Sequence, residues 1–219
     1  WTSGAQYSEA FFCLARTEPV DTSNRHAGLS QFLLDLRSDG VTIRPIESMS
    51  GSRHFSEVIL DEVFVPDDMV FGEIGEGWKQ VNSELAFERS GPERFLSSFR
   101  LFAEAVRPSS GGDPVLDDAT SGRWVARLAG LHGLSRSVAE TLQSGGQADV
   151  PAALVKLHGT ATEGDIVDAV DVAVGDDDVH DPAILALLRA GVVQRPGFTL
   201  RGGTNEILRG VIARGLELR

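Results

Sequence analysis

Between Trp78 and Val106 the apolar residues Trp78, Val81, Leu85, Phe95, Phe99, Phe102 and Val106 follow one another in steps of three and four, with a gap in the middle. That spacing predicts one face of a long helix, from about Gly77 to Val106. Continued through the gap, the same steps fall on Glu88 and Pro92, so a carboxylate takes a buried-face position where the pattern asks for an aliphatic side chain. Such a group is costly there unless it is paired or used. Pro92 lacks the amide hydrogen that would bond the Glu88 carbonyl, and with Gly91 beside it the helix is expected to kink or loosen. Two readings of Glu88 stay open on this pattern. It is either a general base whose proton affinity is raised by desolvation, or the acid of a structural salt bridge with Arg89, Arg94 or another arginine.

The rest of the composition narrows the classes. With 219 residues, 42% of them hydrophobic, the chain is globular and long enough for one large core or two small domains. Net charge is −12, acids gather at residues 113–118 and 163–181, and no Lys/Arg cluster forms a stripe for a phosphate backbone, so nucleic acid is not an expected partner. The single cysteine, Cys13, lies in the apolar run AFFCLA, reads as core packing and suits a reducing compartment. No apolar run approaches ~18 residues and no leader pattern is visible, which predicts no membrane span and a soluble cytoplasmic protein. The sequence starts at Trp1, in what reads as the run-in to a strand, as in a piece of a longer chain.

From Ala10 to Pro66 the pattern is that of sheet. The runs AFFCLART, GLSQFLLDL, VTIRPI and HFSEVILDEVFVP predict four strands separated by Gly, Asp, Asn and Ser. Four strands form an incomplete layer that needs further strands or a helical face. After GEIGEGW the texture becomes helical. The long helix is followed by a break at RPSSGGDP, by segments at 115–144, 151–174 and 182–194, and by a last helix near Thr204. The expected architecture is α+β: a partial β domain over residues 1–72, then an up-down helical bundle over residues 73–219.

Two further motifs bear on chemistry. GDDDVHD, residues 175–181, holds adjacent acids and a histidine; ligands so arranged suit a solvated loop better than a metal site, and no metal is expected. GGTNEI places Thr204 as an N-cap, with Asn205 and Glu206 in the first turn, so free N–H groups point back at a glycine-flanked opening. Such a helix start favours an anion such as a pyrophosphate.

WTSGA at the start, GEIGEGW before the long helix, FER within it and GGTNEILRGVIAR at the end occur in the order and spacing of the acyl-CoA dehydrogenases. The resemblance covers nearly the whole chain and is strongest in the β segment and in the first and last helices. It implies the second part of that family's β domain plus its C-terminal helical domain. It also implies FAD as cofactor, and a reaction that removes the proton α to a thioester and passes hydride from the β carbon to flavin N5. By resemblance Trp1 and Ser3 contact the flavin ring, Thr204 the cofactor near the last helix, with Glu206 beside it, and Arg89 lies near the acyl and pantetheine path. Most members carry the catalytic glutamate immediately before the Gly-Thr of the last motif, where this chain has Gly202. A minority carry it on the long helix, and Glu88 matches that pattern. Gly202 retains a backbone N–H for the thioester carbonyl.

The chain departs from the family at two places. RPSSGG stands where most members have an RxxFG motif, and the acidic stretch around residues 175–181 replaces the QxxGGxG loop. Both motifs carry FAD contacts that cross subunit interfaces in homo-oligomers. The pattern therefore resembles one subunit of a heteromeric acyl-CoA dehydrogenase, completed by a homologous partner. Such enzymes often take bulky acyl-CoA substrates, steroid side chains among them, and pass electrons to an electron-transfer flavoprotein. The other readings are a non-catalytic assembly or ligand-binding subunit, and an acyl-CoA oxidase.

Overall fold

Short alternating runs ending at glycine and polar turns give two three-stranded antiparallel sheets in the first part of the chain. In the computed structural model, which describes residues 1–108, 112–175 and 181–218, the strands are β1 (Thr2–Ser3), β2 (Ala10–Arg16), β3 (Leu29–Asp35), β4 (Val41–Ile46), β5 (Phe55–Leu60) and β6 (Val70–Phe71). One sheet has the order β1-β5-β4 and the other β2-β3-β6. The four expected strands are β2 to β5, and two short strands complete the layers. Cys13 pairs with Phe32 across β2 and β3 and is only partly buried, not enclosed in a core. Among the described residues the buried apolar side chains of this part are Ala5, Leu34 and Leu36, while Phe12, Leu14 and Phe71 stay exposed.

The described chain divides into two compact units, residues 1–83 and 84–219. The border passes through the first long helix; the sequence reading put it just before that helix. The helices are α1 (Gly77–Ser90), α2 (Phe99–Ala105), α3 (Asp118–Gln143), α4 (Asp149–Val174), α5 (Pro182–Phe198) and α6 (Asn205–Gly215). Their starts follow capping chemistry: Asp117 accepts from the Thr120 N–H at 2.7 Å, and Asp181, ahead of Pro182, accepts from the Ala183 N–H at 2.8 Å. α4 runs through the middle of the bundle and buries Ala152, Val155, Ile166, Val167 and Val170 against Leu101, Phe102, Leu128, Leu131 and Leu188 of its neighbours. The acidic and histidine run at residues 176–180 lies outside the described residues, as does the 109–111 part of the break after α2.

The single helix expected over residues 77–106 is two helices. α1 ends at Ser90, Gly91 turns extended, residues 92–94 form one 3-10 turn, and α2 starts at Phe99. The cause is local. With no N–H at Pro92, the Glu88 carbonyl has no helical donor, and the side chain of Arg94 turns back to supply one, Nε to Glu88 O at 2.9 Å. The Ser90 carbonyl is taken by the Ser135 hydroxyl of α3. The broken segment then lies directly on α4, where Gly159 makes room: a β-carbon there would stand 2.4 Å from the Arg94 carbonyl oxygen.

Candidate active site

The break that Pro92 imposes also builds the site. Because Arg94 is drawn back to the Glu88 carbonyl, its other arm meets the Glu88 carboxylate, Nη2 to Oε1 at 2.6 Å. The guanidinium is nearly enclosed, 9% exposed, whereas the Glu88 side chain is 47% exposed. This corrects one part of the sequence expectation. Glu88 is not on a buried face, since the face it continues is itself open: Trp78 is exposed and Val81 and Leu85 are only partly covered. The pairing with Arg94, one of the two readings left open, is present and holds the Glu88 side chain at the end of α1.

The carboxylate lies beside the loop that leads into α6. A β-carbon on Gly202 would stand 3.6 Å from Glu88 Oε1, 3.7 Å from Arg94 Cζ and 3.8 Å from Arg89 Cγ. Arg89 Nε donates to the Gly202 carbonyl at 3.0 Å, and burial pulls its pKa below the ordinary arginine value. Gly202 and Gly203 have φ of +65° and +94°, the left-handed region where glycine is at ease. Thr204 caps α6, its hydroxyl accepting from the Ile207 N–H at 3.4 Å. Glu206 is exposed in the first turn, its carboxyl held below the usual range by its own backbone N–H and by the Thr204 hydroxyl. Five of the sequence-named residues, Glu88, Arg89, Gly202, Thr204 and Glu206, thus belong to one region of the helical unit.

Trp1 and Ser3 belong to the other unit and are described there. The Trp1 ring is 78% exposed and meets Phe55 edge-on, centroids 5.6 Å apart. Ser3, paired to Phe55 across β1 and β5, has an exposed hydroxyl with no partner among the described residues. An open aromatic plate beside a free hydroxyl fits a planar heteroaromatic ring with polar edges. The capped start of α6 fits an anionic or carbonyl group.

The sequence reading missed the polar face of α4. Lys156, Thr160 and Glu163 recur at i, i+4 and i+7 within a segment read as an apolar helix, and all three are fully buried. Lys156 donates to the carbonyls of Thr199 and Gly203 and to Oδ1 of Asn205. Glu163 accepts from the Ser97 N–H at 2.7 Å and from Arg201 at 3.1 Å, and burial raises its carboxyl above the usual value. Glu163 had counted only as the first acid of the acid-rich stretch at residues 163–181. Its helical spacing from Lys156 was the available signal. Among the described residues, no group of acids, histidines or cysteine forms a metal site, and no helix is long and apolar enough to cross a membrane.

No family model matches the chain. It is 32% identical over 222 residues to the acyl-CoA dehydrogenase FadE34 of Mycobacterium tuberculosis, covering 99% of this chain and 30% of that protein. It is also 32% identical over 225 residues to the acyl-CoA dehydrogenase IpdE1 of the same organism, covering 97% of this chain and 56% of that protein. The chain therefore spans about half or less of these relatives. Among solved structures, the Tcur3481-Tcur3483 steroid ACAD superposes with a TM-score of 0.74 at 25% identity, over 99% of this chain and 58% of that one. Butyryl-CoA dehydrogenase from Megasphaera elsdenii shares the fold, with a TM-score of 0.76 at 20% identity.

Proposed function

Because the chain belongs to the acyl-CoA dehydrogenase family, we propose that it supplies the catalytic base of an FAD-dependent acyl-CoA dehydrogenase, with Glu88 removing the α-proton of an acyl-CoA thioester. The observation that carries this reading is the approach of the Glu88 carboxylate to Gly202. Gly202 is where most members of the family have their glutamate, and a β-carbon there would stand 3.6 Å from Glu88 Oε1, in van der Waals contact with it. The acid from α1 thus reaches the backbone position from which the acid of the α6 loop would start.

On this reading each residue has a task. Arg94 fixes the direction of Glu88 through its contacts to the backbone carbonyl and to the carboxylate. Glu88 stays half-exposed, so a thioester can reach it. The Gly202 N–H, with no acceptor inside the protein among the described residues, is free to donate to the thioester carbonyl. A bond of that kind strengthens as the α-carbon loses its proton and negative charge grows on oxygen. Arg89, held against the Gly202 carbonyl, lines the approach for the acyl and pantetheine portion. FAD, when bound, supplies the acceptor for the hydride leaving the β carbon. Trp1 and Ser3 would hold its ring, and Thr204 and Glu206 would meet it at the start of α6.

The chain acts with a homologous subunit. Two family motifs for FAD contact are absent from its sequence, and the structural relative at 25% identity is a steroid ACAD whose name joins two proteins. Bulky acyl-CoA thioesters are the substrate class that this likeness favours, with an electron-transfer flavoprotein as acceptor. The test is the visible spectrum of the chain, alone and co-expressed with a homologous subunit, before and after adding an acyl-CoA. Flavin bands that need the partner and bleach with substrate are expected, and Glu88→Gln should retain the bands and lose the bleaching. Flavin bands absent in both states would make the chain an assembly subunit instead, and release of peroxide on bleaching would make it an oxidase.

A further inference from the structure

Lys156 has no solvent exposure, yet its ammonium is fully satisfied. It donates to the carbonyls of Thr199 at 3.1 Å and Gly203 at 2.6 Å and to Asn205 Oδ1 at 3.0 Å, so three donors meet three acceptors. All three acceptors belong to the loop and first turn that lead into α6, and the Thr160 hydroxyl of α4 lies 3.3 Å from the same Asn205 oxygen. A peptide group is planar, so fixing a carbonyl fixes the N–H of the next residue. Lys156 on the Gly203 carbonyl therefore sets the Thr204 N–H, just as Arg89 on the Gly202 carbonyl sets the Gly203 N–H. Two consecutive glycines at positive φ have no side chains of their own to hold this shape, and none of the three N–H groups from Gly202 to Thr204 has an acceptor inside the protein among the described residues.

We propose that Lys156 is a positioning residue that clamps the Gly203–Thr204 peptide from beneath, so that the loop presents its free N–H groups to thioester and cofactor in one fixed arrangement. The inference rests on the reading of this loop as part of the active site. Burial, together with the cations Arg94, Arg201 and Arg89 and against Glu206, pulls the Lys156 ammonium down to about 8. Losing the proton removes one of the three donors and loosens the clamp.

The test uses the full flavin-loaded protein with Lys156→Met and Lys156→Arg, beside Glu88→Gln. Amide hydrogen exchange over residues 199–208, measured without substrate, should quicken about tenfold or more in Lys156→Met. kcat should fall roughly 10²-fold, as expected when reacting groups are displaced by about an ångström, while KM changes far less. Wild-type kcat should decline above pH 8, and that decline should vanish in Lys156→Arg, whose cation keeps its proton. Unchanged exchange and kcat in Lys156→Met would overturn the proposal. Should that variant not fold, an unaltered alkaline decline in Lys156→Arg overturns it equally. Full activity in Glu88→Gln would instead overturn the functional reading, while the exchange rates would still test the clamp.

Discussion

Glu88 at the broken end of α1 and Glu163 in the middle of α4 are both glutamates held by an arginine, and their surroundings are opposite. Glu88 is half-exposed on a nearly enclosed Arg94; Glu163 is fully enclosed and bound to the more open Arg201, which is 41% exposed. In the first pair the cation is built into the fold and the acid is presented. In the second the acid is built in, and the arginine just before Gly202 is tethered by it. The difference separates two roles that sequence patterning had merged. The buried acid holds the Ser97 N–H and the Arg201 side chain, and the accessible acid is the one we propose as the base.

The largest effect expected from breaking this contrast is on turnover. Glu88→Gln keeps the shape and one hydrogen-bond acceptor for Arg94 but cannot take a proton, so kcat should fall by about 10²–10⁴-fold, the range for loss of a general base, with flavin content unchanged. Gly159→Val comes next. The Arg94 carbonyl lies 2.4 Å from where a β-carbon would stand, so the 92–94 turn must lift off α4, at about 1–3 kcal/mol for an overpacked contact in denaturant unfolding, and Glu88 moves with it. Glu163→Ala should cost a similar or smaller amount, about 1–3 kcal/mol, because the Ser97 N–H is left without its acceptor.

Glu163→Gln is the subtlest of the set, changing stability by about 0.5 kcal/mol or less at neutral pH since the amide oxygen can still accept from Ser97. Its signature is in pH dependence. The folded carboxyl binds its proton more tightly than the ordinary value of 4.5, so the folded state holds more protons than the unfolded one in the window above that value. The contribution is then present in full below pH 4.5 and lost as pH rises through the folded pKa. Thermal unfolding of the wild type should show that loss, and Glu163→Gln should remove this part of the slope. Were both proteins to give the same profile, Glu163 would have to be ionised at no cost inside α4.

Much of the fold was legible because local patterns and tertiary structure agree. The four runs from Ala10 to Leu60 alternate and end in turn residues, and they are β2 to β5; Thr204 is a cap that marks a helix start in the sequence itself. The long helix failed where the pattern was continued through Pro92. A three-and-four spacing cannot tell a kinked helix from two helices whose apolar faces point into the same core, and Phe95 and Phe102 serve that core from separate segments. Glu88, Gly202 and Thr204 could be named from motif and capping. Their convergence depends on Arg94 turning back to an orphaned carbonyl and on Gly159 letting the broken segment lie against α4, the second a contact between residues far apart in sequence. Lys156 and Glu163 were hidden because α4 is apolar on average, and their partners are mostly backbone groups, which leave no compositional trace.

The most direct test of Glu88 as base is exchange of the α-proton itself. The flavin-loaded protein with its partner subunit would be incubated in deuterium oxide with an acyl-CoA whose β carbon cannot give up hydride, and deuterium entering the α position would be followed by NMR. Washout by the wild type and none by Glu88→Gln, at equal flavin content and equal ligand binding, is the predicted result. Washout that continues at the wild-type rate in Glu88→Gln would contradict the account and require another group at the thioester to take the proton.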